Sequence, residues 1–523
     1  MTKPRFYITT AISYANAGPH IGHAYEAIGA DVMARFKRLD GYDVYFVTGT
    51  DEHGQKVEKS AKAAGKKPQQ FVDEIAALFS GMCDSFGVSY DQFIRTTSDF
   101  HKKASQAIWQ KMEASGDIYL NKYAGWYSTR DERFYTEDEL TTLPDGKKIS
   151  TETKTEVEWM EEESYFFKLS AYTDKLLKLY ESRPDFIQPD FRRNEVLSFV
   201  RQGLRDLSIS RTTFDWGVPV PGNDKHIMYV WVDALTNYIS ALGYPDENAE
   251  KFKKYWPCDV HLIGKDIMRF HAVYWPAFLM SAGLPLPKRV FGHGFLLTSG
   301  EKMSKSLGNV IAPKDLIEKY GVDQARYALM REATFGQDGD ISYALMTARI
   351  NAELANNLGN LVQRTLSMIS KNCEGKVPQP GVLEDADKEL LQKAGQQMLV
   401  EVRDQFEKLQ FSKAIEEFIS AANAANLYID AQAPWKLKKT DPARMATVLY
   451  VLAEVIRNLG LIIQPFTPNA AQKILDQVAV GANERDFSFI GEAHALKAGT
   501  PLPAPSGAFP RIVDESAEEA KTA

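Results

Sequence analysis

The sequence predicts an α/β protein in which a doubly wound parallel sheet is split by an insertion and followed by an all-α helical bundle. Residues 6–10 and 42–48 are β-branched and aromatic runs of strand length. They flank a segment whose apolar residues recur every three or four positions, and this order is typical of a parallel βαβ unit. From residue 344 onward most segments carry apolar residues at helical intervals, which is typical of a bundle.

Length and composition exclude several classes of protein. The 523 residues are too many for one core, so we expect about three or four domains. A net charge of −7 argues against a wholly basic nucleic-acid coat, although local basic patches can still bind RNA. Cys83, Cys258 and Cys373 form no Cys-x-x-Cys pair, so we expect neither a disulfide framework nor a cysteine-based zinc knuckle.

Hydropathy and the first residues predict the compartment. No apolar run approaches the length of a membrane span, and residues 1–4 lead into the first strand without a signal peptide. We therefore expect a cytoplasmic protein that makes no contact with a membrane.

The start of the first predicted helix is a candidate phosphate site. His20 and His23 share one face of its first turn. A helix N-terminus presents N–H groups and a partial positive charge to phosphate. Gly22 has no side chain, so a flat ring can approach the backbone there. The alternative interpretation is a helix cap or a pair of surface histidines.

A second candidate site lies far along the chain, where the sequence reads Lys302-Met303-Ser304-Lys305-Ser306 after a polar loop. Its two lysines can act as point charges toward a triphosphate. Together with His20-Ile21-Gly22-His23, this pentapeptide resembles the HIGH and KMSKS signatures of class I aminoacyl-tRNA synthetases, and both signatures match letter for letter.

The loops after the first two strands carry candidate substrate residues. Ligands of parallel sheets sit beyond the carboxyl ends of the strands, where Tyr14 and Asp51 are expected. An acidic residue beside a phosphate site suits a substrate ammonium group, whereas the alternative is an N-cap. Residues 56–66, 68–86 and 101–115 are predicted helices, and residues 117–216 are short extended pieces that we interpret as an insertion. The acidic run at 161–163 is interpreted as a solvated face.

The second half of the sheet is predicted from residues 228–232, 261–263 and 290–295. The first of these strands ends at Trp231, and the second runs into Gly264-Lys265-Asp266. Ile267, Phe270, His271 and Trp275 then follow at helical spacing. Such a stripe is typical of a core, and His271 is then a core histidine. The same convergence also makes a deep pocket for a long apolar side chain.

The C-terminal part is predicted as two short helices split by Gly321, a C-cap, and then a bundle over 350–369, 385–409, 411–428 and 442–463. Trp435 stands beside three lysines, so it is a candidate for stacking an RNA base, or alternatively a corner of the bundle.

Over nearly the whole chain the sequence resembles the methionyl-tRNA synthetase family. The resemblance implies a Rossmann-type catalytic domain in two halves, 1–116 and 217–310, around a connective-peptide insertion, 117–216. It also implies a stem-contact linker, 311–345, a helical anticodon-binding domain, 346–512, and a disordered tail, 513–523. The implied activity is formation of methionyl-adenylate from L-methionine and ATP, followed by transfer of methionine to the 3′ end of tRNA(Met). A monomer that serves both elongation and initiation is expected, so the initiator tRNA is an expected partner.

The resemblance also implies roles for matching residues. ATP would contact His20, Gly22, His23, Gly264, Asp266, His293, Lys302, Ser304 and Lys305. The methionine pocket would comprise Ile12, Tyr14, Asp51, Trp231, Ala234, Leu235, Tyr238, Ile267, Phe270 and His271, with Asp51 pairing the α-ammonium group. Asn360, Arg364 and Trp435 would read the anticodon.

One stretch departs from many members of that family. They carry Cys-x-x-Cys zinc knuckles in the insertion, but residues 127–131 here read Tyr-Ser-Thr-Arg-Asp. We therefore expect the zinc-free branch, with Mg²⁺ accompanying ATP and no structural zinc.

Three other functions were weighed. A synthetase for a branched amino acid would carry a much longer editing insertion. A small-molecule nucleotidyltransferase would not need a bundle with Asn360, Arg364 and Trp435. A non-catalytic RNA-binding protein would not need both intact signatures.

Overall fold

The computed structural model describes residues 3–131, 133–298, 300–302 and 311–513. The elements of its first part are β1 (Arg5–Thr10), β2 (Ser13–Tyr14), α1 (Ile21–Leu39), β3 (Asp43–Asp51), α2 (Gln55–Ala63), α3 (Pro68–Ser85), β4 (Gln92–Arg95) and α4 (Asp99–Ala114). Next come β5 (Ile118–Ser128), β6 (Arg133–Tyr135), β7 (Leu140–Thr142), β8 (Lys148–Ser150), β9 (Glu158–Phe167), α5 (Thr173–Ser182), β10 (Ile187–Gln188), α6 (Asp190–Arg201), β11 (Leu207–Ser208) and β12 (Ser210–Arg211).

The second half of the sheet and the bundle follow. The chain continues with β13 (Pro219–Val220), β14 (Asn223–Met228), α7 (Val230–Ser240), α8 (Glu250–Tyr255), β15 (Val260–Gly264), α9 (Trp275–Ser281), β16 (Val290–His293), β17 (Leu296–Thr298) and β18 (Glu301–Lys302). It ends with α10 (Pro313–Tyr320), α11 (Val322–Glu332), β19 (Gly339–Asp340), α12 (Tyr343–Arg349), α13 (Asn360–Asn372), α14 (Asp385–Gln392), α15 (Met398–Glu407), α16 (Phe411–Gln432), α17 (Pro434–Thr440), α18 (Pro442–Ile463) and α19 (Pro468–Gln477).

A seven-stranded sheet organises the first 300 residues, and the order of its strands confirms the predicted fold class. The order is β10-β16-β15-β1-β3-β2, with β4 also paired to β3, and every pair is parallel. β1 pairs with β3 on one side and with β15 on the other, so the crossovers diverge at its carboxyl end. Ligands of doubly wound sheets bind at such a switch point.

Helix α1 starts at that switch point. Its predicted apolar face is buried, and Tyr25, Ile28 and Phe36 are almost fully enclosed. The ring of Phe36 stacks on Phe406 of α15 at 3.7 Å, so one helix packs on both the sheet and the bundle. The buried Arg326 adds a second link, because its guanidinium donates to Asp31 of α1 at 2.7 Å and to backbone carbonyls on both sides.

The predicted insertion is not separate from the sheet throughout. Residues 117–216 contain a four-stranded sheet of order β11-β9-β5-β6, but they also contain β10, which pairs in parallel with β16. The two-residue strand β10 has too little pattern to be recognised in a sequence. The domain boundaries drawn from the sequence remain a prediction.

The strand predicted at 228–232 is wrong. β14 ends at Met228 and α7 begins at Val230, so Trp231 lies in the first turn of a helix. β-Branched Val230 and Val232 favour a strand locally, but burial of nearly every residue of α7 overrides this weak preference.

The bundle contains one helix that contradicts the hydropathy statement made from the sequence. Among the described residues, the 22-residue helix α18 has an 18-residue window with a mean hydropathy of 1.7, which is long and apolar enough to cross a membrane. Its most apolar window is 89% buried inside the bundle, so the apolar surface packs against neighbouring helices. Two long helices predicted here are interrupted by π-helical turns at Ile350–Gly359 and Lys393–Gln397. Gly321 is the predicted C-cap, with φ of +79°.

Candidate active site

The two histidines at the start of α1 form a reciprocal cap. The backbone N–H of Gly22 donates to Nδ1 of His20, and the N–H of His20 donates to Nδ1 of His23, both at 3.1 Å. The rings stack with their centroids 3.7 Å apart. The helix cap that was one alternative interpretation is therefore present. The cap is compatible with a ligand site, because it uses only the Nδ1 atom of each ring and leaves the two rings in a fixed orientation.

This cap also fixes the protons of the two rings. Because each Nδ1 accepts a hydrogen bond, a neutral ring carries its proton on Nε2. Burial, together with the neighbouring His20 and His293, lowers the pKa of His23 to about 3. His23 is therefore a neutral hydrogen-bond donor at physiological pH, not a cation.

A buried acid–imidazole pair joins α1 to the ends of β15 and β16. Nε2 of His293 lies 2.9 Å from the Glu26 carboxylate, while Nδ1 donates to the carbonyl of Gly294 at 2.8 Å. Burial raises the pKa of Glu26, and the backbone of Gly264 and the charge of Asp266 also act on it. The structure thus brings the predicted residues Gly264, Asp266 and His293 together beside α1.

Gly264 leaves room for this arrangement. A Cβ atom at Gly264 would lie 2.6 Å from Oδ1 of Asp266 and 4.0 Å from Nε2 of His293. Any larger residue at this position would therefore displace the Asp266 carboxylate.

The lysine loop is described only in part. β18 contains Lys302, whose backbone pairs with Leu297 of β17, so the hairpin follows directly from β16. Ser304 and Lys305 lie outside the described residues, as does the Lys302 side chain.

Asp51 ends β3 at the same edge of the sheet. It is buried, its backbone pairs with Tyr14 of β2, and its carbonyl accepts from the N–H of Ala15 at 2.8 Å. Burial, and then the charges of nearby groups that include Glu26 and Asp51, raise the pKa of Tyr238 well above its usual range. Asp51 is thus close enough to Tyr238 to act on it electrostatically.

Aromatic rings from α7 and from the π-helical turn Phe270–Tyr274 face each other. Trp231 stacks on Phe270 with centroids 3.7 Å apart and planes at 5°. The hydroxyl of Tyr238 lies 2.6 Å from Nε2 of His271, whose Nδ1 donates to the carbonyl of Ile267 at 3.0 Å. A π-helical turn at such a place is common at functional sites.

These contacts keep the aromatic cluster uncharged. Because Nδ1 of His271 donates, its Nε2 accepts from the Tyr238 hydroxyl. Burial lowers the pKa of His271 to about 4, so the ring is neutral at physiological pH. His271 is a satisfied, buried histidine and also a wall of the predicted pocket.

The other predicted pocket residues surround this cluster. Ile12, Tyr14, Trp231 and Ile267 are half-buried and pack on the core that contains Leu235 and Tyr238, and Ala234 is buried on the same helix. The surfaces left accessible are therefore apolar and aromatic.

Four residues of this region were not predicted from the sequence: Glu26, Glu52, His53 and Asp233. Glu52 is buried and accepts from both Arg95 and Thr50, and His53 contacts Asp233. Each is an ionisable residue whose partners lie far away in the sequence, apart from Thr50 beside Glu52. Glu26 also follows His23 by three residues and so shares its helix face.

The predicted anticodon residues meet at one end of the bundle. The guanidinium of Arg364 lies 5.4 Å from the ring of Trp435 and donates to Asp430 at 2.8 Å. Trp435 is 42% exposed on α17, after Ala433 reverses the chain with φ of +43°. Asn360 is exposed one turn before Arg364. Trp435 lies at the turn between α16 and α17, a corner of the bundle, and part of its side chain is exposed.

Comparison with known families was made on the whole chain. The family described as tRNA synthetases class I (M) matches residues 6–158 and 142–366. The family described as the anticodon binding domain of methionyl tRNA ligase matches residues 377–523.

Curated relatives match over almost their full length. The methionine–tRNA ligase of Brucella suis is 58% identical over 514 residues, which cover 98% of this chain and 99% of the relative. The methionine–tRNA ligase of Mycobacterium tuberculosis is 54% identical over 523 residues, covering 99% and 100%. This similarity removes the three other functions weighed from the sequence.

Solved structures agree with this similarity. Mycobacterium tuberculosis methionyl-tRNA synthetase in complex with methionyl-adenylate has a TM-score of 0.95 and 54% identity, and the match covers 97% of this chain and 100% of that one. Its apo form has a TM-score of 0.89 and 51% identity, covering 98% and 99%. The chain therefore belongs to the class I methionyl-tRNA synthetases, the methionine–tRNA ligases that activate methionine with ATP and transfer it to tRNA.

Proposed function

We propose that the carboxyl edge of the parallel sheet is where this enzyme forms methionyl-adenylate, with ATP beside α1 and methionine beside α7. The observation that carries the proposal is the convergence of three features at one edge. They are the histidine-capped helix start, the Glu26–His293 pair beside Gly264, and an uncharged aromatic pocket next to Asp51. The likeness to a relative bound to methionyl-adenylate supports it.

ATP binds through groups that match its charge. The Nε2–H groups of His20 and His23 donate to phosphate oxygens, and the start of α1 adds its partial positive charge. Gly22 contacts the nucleotide with its backbone, and Gly264, Asp266 and His293 hold the ribose side. Lys302, Ser304 and Lys305 supply donors and positive charge to the triphosphate.

Mg²⁺ enters as part of the ATP substrate and neutralises charge on the phosphates. Among the residues that the structure describes, no three His, Cys, Asp or Glu side chains are grouped to hold a metal ion. This fits an ion that is bound largely by phosphate oxygens and water, as Mg²⁺ usually is with nucleotides.

Methionine binds with its ammonium group on Asp51 and its thioether among the aromatic rings. The His271 and Tyr238 rings, whose polar groups bond to each other and to the Ile267 carbonyl, offer their ring surfaces to the polarizable sulfur, and Trp231 and Phe270 form the apolar wall beside the methyl group. Ile12, Tyr14, Ala234, Leu235 and Ile267 complete the wall. An apolar pocket alone discriminates one methylene by only about 1–3 kcal/mol, so the fixed distance to Asp51 adds selectivity.

The first reaction needs orientation more than covalent chemistry. A methionine carboxylate oxygen attacks the α-phosphorus in line, the bond to the bridging oxygen breaks, and pyrophosphate leaves with that electron pair. The carboxylate is ionised at neutral pH and needs no general base. The donors and lysines stabilise the charge that builds on the phosphates.

In the second reaction a hydroxyl of the terminal adenosine of tRNA attacks the activated carbonyl, and AMP leaves. Asn360, Arg364 and Trp435 recognise the anticodon, with Trp435 stacking a base and Arg364 donating to base edges. The same contacts serve the elongator and initiator tRNA(Met). The enzyme acts as a cytoplasmic monomer without structural zinc.

Pyrophosphate exchange into ATP, measured across the twenty amino acids with and without tRNA, tests this proposal. We expect exchange with methionine alone, and we expect it without tRNA. The proposed pocket is supported if Asp51→Asn raises the KM for methionine far more than the KM for ATP. Equal changes in both constants would refute the assignment of Asp51.

A further inference from the structure

A fully buried carboxylate lies between two imidazoles behind the methionine pocket. Asp233 is 1% exposed, and its Oδ2 lies 2.7 Å from Nδ1 of His53, while Oδ1 lies 2.8 Å from Nε2 of His101. Both rings are buried as well. None of these three residues has a role in the reaction described above.

The carboxylate is ionised and well satisfied. Burial acts to raise the pKa of Asp233, but His53 and His101 outweigh it and hold that pKa below its usual range. The hydroxyl of Ser105 donates to Oδ1 at 3.2 Å, and Ser240 lies 2.8 Å from Nδ1 of His101. A buried ion of this kind persists only with partners, since removing one partner leaves a charge uncompensated.

The His53 contact joins the two halves of the substrate site. His53 follows Asp51 by two residues at the end of β3, and Asp233 lies in the first turn of α7. That helix carries Trp231 and Tyr238 into the pocket. The carboxylate proposed to hold the substrate ammonium group and the wall proposed to hold the side chain are thus connected by one short contact.

The turn that carries His53 is otherwise held firmly. The indole N–H of Trp216 donates to the carbonyl of Glu52 at 2.6 Å, and the Trp216 ring packs edge-on against His53. The Glu52 carboxylate accepts from Arg95 at 2.6 Å. With this turn fixed, the bond from His53 to Asp233 links the position of α7 directly to the end of β3 that carries Asp51.

We propose that His53 and Asp233 are positioning residues that set the distance between Asp51 and the side-chain pocket, and thereby the length of amino acid that the enzyme accepts. This inference rests on the proposed function of Asp51 and α7. His101 binds the same carboxylate from α4, which carries no residue of the proposed substrate site, so it provides a matched control.

Four variants test the proposal by pyrophosphate exchange. His53→Ala removes the contact, whereas His53→Asn restores a donor at the place of Nδ1, and His101→Ala removes the opposite contact. We expect His53→Ala to raise the KM for methionine by about tenfold or more, because small displacements of a bound substrate are costly. The KM for ATP should stay within about twofold, and the preference for methionine over norleucine and ethionine should fall. Asp233→Asn keeps the side-chain volume and is also expected to raise the KM for methionine while leaving the KM for ATP nearly unchanged.

The controls separate this inference from the proposed pocket. His53→Asn should bring the KM for methionine most of the way back to the value of the parent enzyme. His101→Ala should lower the melting temperature and leave the KM for methionine within about twofold of the parent value. If Asp51→Asn raises the KM for methionine but the two alanine variants shift it equally, the positioning role is overturned and the pocket stands. If Asp51→Asn leaves the KM unchanged, the pocket itself is wrong. Should neither alanine variant fold, a folded Asp233→Asn with an unchanged KM overturns the positioning role.

Discussion

Nε2 of His293, at the end of β16, lies 2.9 Å from the carboxylate of Glu26 on α1, so this contact joins a central strand of the sheet to the helix that begins at the proposed nucleotide site. Burial acts to lower the pKa of His293, but the contact with Glu26 outweighs it and raises that pKa above its usual value. The pair therefore predicts a dependence of stability on pH.

Because the folded protein binds this proton more tightly than the unfolded chain does, its contribution is complete below about pH 6.5 and is lost as the pH rises through the folded pKa. The pKa of Glu26 is also raised, which acts in the same direction. We expect the melting temperature to fall between about pH 6 and 8, and His293→Gln to flatten this slope. Thermal unfolding across that range measures both, and an equal slope in the variant would contradict the assignment.

Removing the His23 ring should slow adenylate formation without changing its pH profile. We expect His23→Ala to lower kcat for pyrophosphate exchange by about 10²-fold, because one donor to the developing charge is lost. The pKa of about 3 keeps this ring neutral, so the profile between about pH 5.5 and 8 should match that of the parent enzyme. If a rise or fall of kcat with pH that the parent enzyme shows were absent from the variant, His23 would titrate in this range.

Lys305→Ala should cut adenylate formation strongly while leaving the fold intact. Loss of one positive charge from the triphosphate is expected to cost about 10²-fold or more in kcat/KM for ATP. Lys314→Ala, at an exposed lysine that pairs with Glu318 at 3.3 Å, is the control and should have normal exchange. The circular dichroism spectrum of both variants should equal that of the parent, and normal exchange in Lys305→Ala would refute its role.

Trp435→Ala should weaken tRNA charging and spare exchange. The ring lies far along the chain from the adenylate site, and stacking of one base is worth about 1–3 kcal/mol. We therefore expect kcat/KM for tRNA to fall by about ten- to a hundredfold, measured as aminoacylation at limiting tRNA. Loss of exchange in this variant would show that the bundle has a different role.

Metal analysis should find no stoichiometric zinc in the purified protein, since residues 127–131 contain no cysteine. The insertion has other means of support, such as Asp131, which accepts from the hydroxyl of Tyr135 at 2.7 Å. A chelator should leave the melting temperature unchanged. A lowered melting temperature after chelation, or one zinc per chain, would overturn the zinc-free assignment.

Much of the fold follows from patterns that are local in the sequence. The apolar spacing of α1 and the β-branched and aromatic runs of β1 and β3 predict these elements. The backbone of α1 forms its hydrogen bonds within the helix, and β1 pairs with β3, which lies only about thirty residues further along the chain. β10 could not be predicted, because two residues become a strand only when β16 lies beside them. Trp231 was assigned to a strand because the β-branched residues beside it favour a strand, whereas the burial of α7 in the folded protein favours a helix.

The candidate site likewise contains residues that the sequence indicated and residues that only the structure reveals. His20, His23 and Asp51 could be proposed from the sequence because they stand at the ends of predicted elements, where ligands of parallel sheets bind. Glu26 and Asp233 were missed because their significance lies in partners that are distant in sequence: His293 for the first, and His53 and His101 for the second. Buried ion pairs of this kind leave only a faint signal in a single sequence.

The buried helix α18 has a consequence for synthesis of the chain on the ribosome. Since it lies near the C-terminus, α13 to α17 have already emerged when its apolar surface appears, and they can cover it at once. Nascent chains that stop within residues 442–463 would lack α19, so the part of α18 that packs on α19 would stay exposed. Premature termination within residues 442–463 would generate fragments that aggregate through the exposed apolar surface. Termination before residue 442 would generate fragments that lack this apolar helix.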